Sequence, residues 1–182
     1  NEKVLSEFGT RPGAFQNTPL MTDGVLYLST PYNQVAALDA VSGKELWSRE
    51  WDTGPLPRIT PPNSHASSTP ATDGERVYAF FGSRGMYCYD MNGKLIWEKD
   101  FGVQLRMRMA FGEGMAPVVY GNKVILVFDQ EGDSFMAVLD KTSGREIWRA
   151  SRPEKTNWAA PLVVEFKGRT EVIVAGSAKV RS

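Results

Sequence analysis

The residues that could do chemistry are few, and their spacing narrows what that chemistry could be. One histidine is present, His65, in the stretch Pro62-Asn-Ser-His-Ala-Ser-Ser68. A lone imidazole can serve as a general base, but a polar loop just ahead of a strand is the ordinary place for a solvated or backbone-bonded ring. With one histidine and one cysteine, Cys88, the chain can form no multi-histidine zinc site, cysteine-only metal cage or internal disulfide. Arg106 and Arg108 are two residues apart, so in extended chain they share a face and could hold a carboxylate or an anionic cofactor; the competing reading is an exposed charged loop. Asp129, Glu131 and Asp133 alternate as calcium ligands do, but without the spacing of an EF-hand, and a solvated turn is expected there. Trp158, beside Asn157, is the aromatic best placed to stack on a ligand or a partner. No phosphate-cradling glycine loop, nucleophile elbow or zinc-spaced histidine pair is found. No catalytic residue and no metal ligand is assigned.

Composition removes further classes. The 182 residues are 42% hydrophobic and 23% charged, the balance of a globular chain that can bury a core. Lys+Arg and Asp+Glu both number 21, and without a basic stripe a nucleic-acid partner is not expected. The longest apolar runs, Val124 to Phe128 and Phe135 to Leu139, fall far short of the roughly 18 residues of a membrane-spanning helix. The chain opens at Asn1 with no charged-then-apolar leader, so any targeting peptide is expected to have been removed or to lie outside it. Gly (17) and Pro (11) are abundant, 11% of residues are aromatic, and no sustained apolar stripe has helical spacing. That pattern predicts short strands and tight turns, an all-β chain.

Those strands come in repeats. Ala37-Leu-Asp39-Ala-Val-Ser-Gly43-Lys-Glu-Leu-Trp47 returns as Cys88-Tyr-Asp90-Met-Asn-Gly93-Lys-Leu-Ile-Trp97 and as Val138-Leu-Asp140-Lys-Thr-Ser-Gly144-Arg-Glu-Ile-Trp148. The period is about fifty residues. Upstream of each stands a Thr-Pro or Ala-Pro pair followed by a short run, then Asp23-Gly24, Asp73-Gly74 or Gly121-Asn122, then a second run. Asp-Gly and Gly-Asn between apolar runs are hairpin signals, and each unit therefore reads as four antiparallel strands. Asp39, Asp90 and Asp140 are expected to lock the third turn by accepting backbone N–H bonds, with Gly43, Gly93 and Gly144 at positive φ. Four strands per unit of this length describe a β-propeller blade. We expect one domain over 1–182, with blades at about 16–50, 66–100 and 114–150 and an incomplete one at 157–182. It would be a fragment of a larger ring, eight blades being the expected number. Gly82-Ser-Arg-Gly aligns with Gly176-Ser-Ala-Lys, so the chain is expected to stop inside a third strand. Trp47, Trp97 and Trp148 are expected to be buried between blades.

The unit Ala-Leu-Asp-x-x-Ser-Gly-Lys-Glu-Leu-Trp, preceded by Thr18-Pro-Leu-Met-Thr-Asp-Gly-Val-Leu-Tyr27, resembles the repeat of quinoprotein-type propellers, the pyrroloquinoline quinone (PQQ)-like repeat family. Two branches of that family are implied. The segment from Phe15 to Pro31 is similar to the opening blade of the glucose-dehydrogenase type, which would imply PQQ and Ca²⁺ as cofactors. Residues 67–182 look more like the BamB-like branch, non-catalytic propellers of bacterial envelopes that bind protein partners or a small ligand at one face and need no cofactor in this segment. Both branches imply a periplasmic, extracellular or cell-envelope location. Alcohol-oxidising quinoproteins carry a disulfide between adjacent cysteines, which a chain with Cys88 alone cannot form.

Propeller connectivity puts the blade-to-blade connections and the second-to-third strand loops on one side. Here the connections 51–66, 99–115 and 151–159 are long, and long loops on a rigid scaffold are where binding residues sit. The expected binding face comprises His65, Arg84, Arg106, Arg108, Asn157 and Trp158, with Arg58, Tyr32 and Asn33 in the same loops.

Overall fold

The computed structural model describes residues 16–30, 34–50, 59–61, 63 and 68–182. His65, Arg58, Tyr32 and Asn33 lie outside the described residues. Among the described residues, alternating side chains and turn glycines give fifteen strands in four antiparallel sheets. The first sheet holds β1 (Leu20–Thr22), β2 (Val25–Thr30), β3 (Gln34–Asp39) and β4 (Glu45–Glu50) in sequential order. The second holds β5 (Ala71–Thr72), β6 (Arg76–Phe80), β7 (Met86–Asp90) and β8 (Leu95–Lys99), and the third β9 (Val118–Tyr120), β10 (Lys123–Phe128), β11 (Ser134–Asp140) and β12 (Glu146–Arg152). The fourth has three strands, β13 (Leu162–Phe166), β14 (Arg169–Ala175) and β15 (Val180–Arg181). The architecture is a partial β-propeller.

The period of two along β6 shows how blades stack. Val77, Ala79 and Phe81 face the first blade, where they join Tyr27, Val35 and Trp47. Tyr78 and Phe80 face the third, among Val124, Leu126, Phe128 and Leu139. A strand apolar on both faces can be satisfied only between two sheets, which is why β6 and β10 read as continuous hydrophobic runs.

The recurrent turn closes each complete blade and receives its neighbour. Asp39 Oδ1 accepts from the Ser42 amide at 2.7 Å and its hydroxyl at 2.6 Å; Asp90 Oδ1 accepts from the amides of Asn92 and Lys94, both at 2.9 Å. Asp140 Oδ1 takes the Thr142 and Ser143 hydroxyls at 2.6 and 2.8 Å, and these bonds hold its carboxyl at about 2. In each of these sheets the register shifts just before that turn, between Ala37 and Leu38, Cys88 and Tyr89, and Val138 and Leu139. Trp47 then reaches across to the second blade, donating its indole N–H to Met91 O at 3.0 Å, and Trp97 does the same to Lys141 O at 3.0 Å. Beneath each ring lies the turn glycine of the next blade. A Cβ on Gly93 would meet Trp47 at 2.6 Å, and one on Gly144 would meet Trp97 at 2.5 Å.

Trp148 departs from the expectation of burial. It is 40% exposed, against 9% for Trp47 and 8% for Trp97. Among the described residues no turn glycine lies over its ring as Gly93 lies over Trp47 and Gly144 over Trp97. Gly43 is the complement: it has the turn conformation, φ +69°, with no neighbour within 4 Å of its would-be Cβ.

A second tie joins blades two and three. The Lys141 ammonium lies 2.7 Å from Asp73 Oδ2, and the Tyr78 hydroxyl donates to the same oxygen at 3.1 Å. Burial by itself raises the Asp73 pKa, but Lys141, the amides of Glu75 and Arg76 and the Tyr78 hydroxyl outweigh it and hold the carboxyl at about 2.

These contacts make two expectations measurable. Gly43→Ala should cost about 1–2 kcal/mol of left-handed strain, whereas Gly93→Ala and Gly144→Ala should cost roughly 1–3 kcal/mol more through overpacking under a tryptophan. Urea unfolding of the three variants checks the order, and equal losses would remove the ring contact as its cause. Because the folded pKa of Asp73 lies below its ordinary value of 3.8, its contribution is present above that pH and lost as pH falls toward 2. Asp73→Asn should therefore lower Tm at neutral pH, by a margin that closes when melts are recorded between pH 4 and 2.

Candidate functional site

The connection 99–115 brings the loops together. Its Leu105 amide donates to Ser83 Oγ at 2.7 Å, in the β6–β7 loop, and its Arg106 amide donates to Gln130 Oε1 at 3.0 Å, in the β10–β11 loop. Glu131 N donates back to Arg106 O at 2.9 Å. Further on, the Arg108 amide donates to Thr156 Oγ1 at 2.9 Å, and Gly112 O accepts the Trp158 indole N–H at 2.9 Å. Thr60, from the first connection, donates its amide to Ala110 O at 2.8 Å and its hydroxyl to Met109 O at 2.6 Å. The segments carrying Arg84, Arg106, Arg108, Asn157 and Trp158 therefore meet along one connection.

These residues enter the assembly by different routes. Arg106 and Arg108 are exposed and hold the loops together through their amides; in the described contacts their guanidinium pair grips no carboxylate. Arg84 closes a 3-10 turn, Gly82–Arg84, with its amide donating to Phe81 O at 2.9 Å. The Asn157 amide donates to Ala175 O, so it anchors the last connection to β14.

Four carboxylates of this face are bound by the chain itself, while Asp133 is exposed. Asp129, expected in a solvated turn, is instead fully buried and held by both nitrogens of the Arg152 fork, at 2.7 and 3.0 Å. The reason is the length of the Arg side chain, which reaches from the end of β12 across the sheet to the end of β10. Glu131 accepts the Thr156 hydroxyl at 2.7 Å, which lowers its pKa. Glu154 accepts Arg181 Nε at 2.6 Å and the Ser177 hydroxyl at 3.2 Å, and the Arg181 contact keeps its carboxyl below the usual range. Glu113 is buried and accepts the amide and hydroxyl of Ser83 at 2.6 and 2.5 Å. Burial raises its pKa and the Ser83 bonds oppose the rise. A Cβ on Gly82 would lie 1.8 Å from Glu113 Oε2, and one on Gly176 would lie 2.3 Å from Glu154. Glu113 and Glu154 carry no local motif; the signal that could have found their sites is the recurrence of Gly-Ser at 82–83 and 176–177.

A cavity of about 510 Å³ opens among the connections, between Gln16, Thr60, Asn63, Phe111, Trp158 and the glycines at 112 and 114. Met109 and Ala110, at its edge, both have left-handed φ, 52° and 53°, at about 1–2 kcal/mol each for residues with a Cβ.

The described residues gather no donor set for a calcium-bound quinone. Among the described residues no three of His, Cys, Asp and Glu gather as metal ligands, whereas Ca²⁺ takes six or more oxygens. Cys88 is buried between blades, where burial pushes its thiol up to about 12. The described lining of the cavity is uncharged.

A family model described as outer membrane protein assembly factor BamB matches residues 63–182. The chain belongs to this family of PQQ-like repeat propellers. A second model, described as the β-propeller domain of glucose, ethanol and alcohol dehydrogenases, matches residues 2–60. Among curated proteins, a 1-butanol dehydrogenase (quinone) of Thauera butanivorans is 31% identical over 162 residues, covering 82% of this chain and 23% of its own. The outer membrane protein assembly factor BamB of Moranella endobia is 27% identical over 167 residues, covering 90% of this chain and 38% of its own. The quinohemoprotein alcohol dehydrogenase of Comamonas testosteroni shares the fold, with a TM-score of 0.60 at 20% identity over 77% of this chain and 21% of that one. The chain thus spans about a quarter of the quinone dehydrogenase relatives and 38% of the BamB relative.

The buried Asp129–Arg152 pair supports the face. Arg152→Ala would leave a carboxylate uncompensated in the interior, at a cost of roughly 3–5 kcal/mol. Chemical denaturation should show that loss, and a change within 0.5 kcal/mol would mean that the pair contributes little to holding the loops.

Proposed function

We propose that this PQQ-like repeat propeller is a non-catalytic binding scaffold of the bacterial cell envelope, taking a protein partner on its loop face. The observation that carries the reading is that Glu113, Asp129, Glu131 and Glu154 are all engaged by Ser83, Arg152, Thr156 and Arg181. These four carboxylates act as braces of a rigid surface rather than as acids, bases or ligands of a reacting centre. Membership of the BamB-described family over residues 63–182 supports the same reading, and with it the envelope location. PQQ and Ca²⁺ play no part in it.

A second reading is favoured by a specific finding: residues 2–60 match the dehydrogenase propeller model. Under that reading the chain is part of a PQQ- and calcium-dependent sugar or alcohol dehydrogenase. The full-length protein, supplied with PQQ and Ca²⁺ and assayed for dye reduction with sugars and alcohols, separates the two. The scaffold reading expects no turnover above the protein-free control, and robust turnover would overturn it.

A further inference from the structure

Three residues of the cavity lining come from one position of three repeats. Gln16, Gly114 and Trp158 each stand three residues ahead of the proline that opens a blade, Pro19, Pro117 and Pro161. Blade docking calls for the same group each time, as at Trp47 and Trp97. An amide, a glycine and an indole in equivalent places cannot be serving that common need. Trp158 is 41% exposed, and Phe111, 36% exposed, lies beside it with ring centroids 6.4 Å apart. The backbone is strained to present this pair. Met109 and Ala110 are consecutive left-handed residues clasped by both donors of Thr60, and the next residue is Phe111. Strain of this kind persists where the surroundings enforce it, and it gathers at ligand clamps.

The lining also says what could occupy the space. No charged side chain is among its described lining residues, so from these an ionic ligand would gain no opposite charge, and they favour an uncharged one. Much of the polar capacity is already used: the Trp158 indole N–H by Gly112 O, the Thr60 hydroxyl by Met109 O, and Asn63 Oδ1 by the Gln16 amide at 2.9 Å. A saccharide would bring many hydroxyls and find few partners. What the site offers is ring faces, the Pro61 ring and the Asn63 amide nitrogen.

We propose that this cavity holds an uncharged, proline-bearing extended segment of a protein partner. Pyrrolidine rings lie flat on aromatic faces, and a polyproline II segment has no internal hydrogen bonds, so its carbonyls can accept from a side-chain amide such as that of Asn63. The assignment rests on the scaffold reading and names the chemistry by which the partner is anchored.

Isothermal titration of the full-length protein with a capped hexaproline peptide tests it, alongside a capped Gly-Ser hexapeptide and maltose. Saturable binding of hexaproline alone is expected, with a negative heat-capacity change from burial of apolar surface. Trp158→Ala should weaken it by about tenfold or more. Because that change also removes the bond to Gly112, Phe111→Leu, which keeps an apolar side chain without the ring, should weaken it comparably while Tm is retained. Three results would each overturn the proposal: no saturable heat with hexaproline, equal affinity in Phe111→Leu, or binding of maltose while the peptides stay silent. The dye-reduction assay reads the scaffold itself. Peptide silence without turnover removes the pocket assignment alone, whereas turnover removes the reading beneath it.

Discussion

The contact on which the arc depends is a tryptophan lying on a glycine of the next blade. Trp47 over Gly93 and Trp97 over Gly144 repeat the same geometry, down to an indole N–H donated to the carbonyl one residue after the turn aspartate. The glycine is needed twice, for its left-handed φ and for its missing Cβ, so neither demand can be relaxed separately. The aspartate bonds hold the turn in the shape that offers both the glycine and the carbonyl. Since each contact is made between neighbouring units, its effect is to fix the angle from one blade to the next. The β6 side chains, apolar on both faces, then fill the space which that angle leaves.

The loop face follows from the same spacing. Once blades are set side by side, the connection 99–115 passes over the inner loops of blades two and three and reaches the connections before and after it. Its amides find partners in Ser83, Gln130 and Thr156, and its carbonyls at Met109, Ala110 and Gly112 accept from Thr60 and Trp158. Four carboxylates on this face are engaged locally, most fully where Arg152 grips the buried Asp129. Such pairing gives a surface that keeps its shape, which suits recognition by a partner.

Likeness to both BamB and quinone dehydrogenases is what a shared repeat would produce. Turn aspartate, turn glycine and strand-end tryptophan serve blade docking in either setting, so they identify the fold and are silent on catalysis. The discriminating chemistry has to be sought where the repeats differ. In this chain those places are the connections, and their described residues present an aromatic cavity with an uncharged lining and braced carboxylates.

The sequence by itself determined the blade. The fifty-residue period, the Asp-Gly hairpins and the Asp-x-x-Ser-Gly turns are local signals, and each is satisfied within a few residues by backbone geometry, so a linear reading recovers them. It also contained the grounds for singling out Trp158, since departure from a repeat is visible in one dimension. Only the tertiary structure decided how the charges are used. Asp129 looks like a solvated turn residue because its neighbours are polar, yet it is buried because Arg152 meets it from another strand, 23 residues away. The same holds for Glu113 with Ser83, and for Trp148, whose exposure depends on what lies across from it rather than on its place in the repeat. Burial and ion pairing are properties of distance in space, and between loops of different blades sequence separation carries little of that distance.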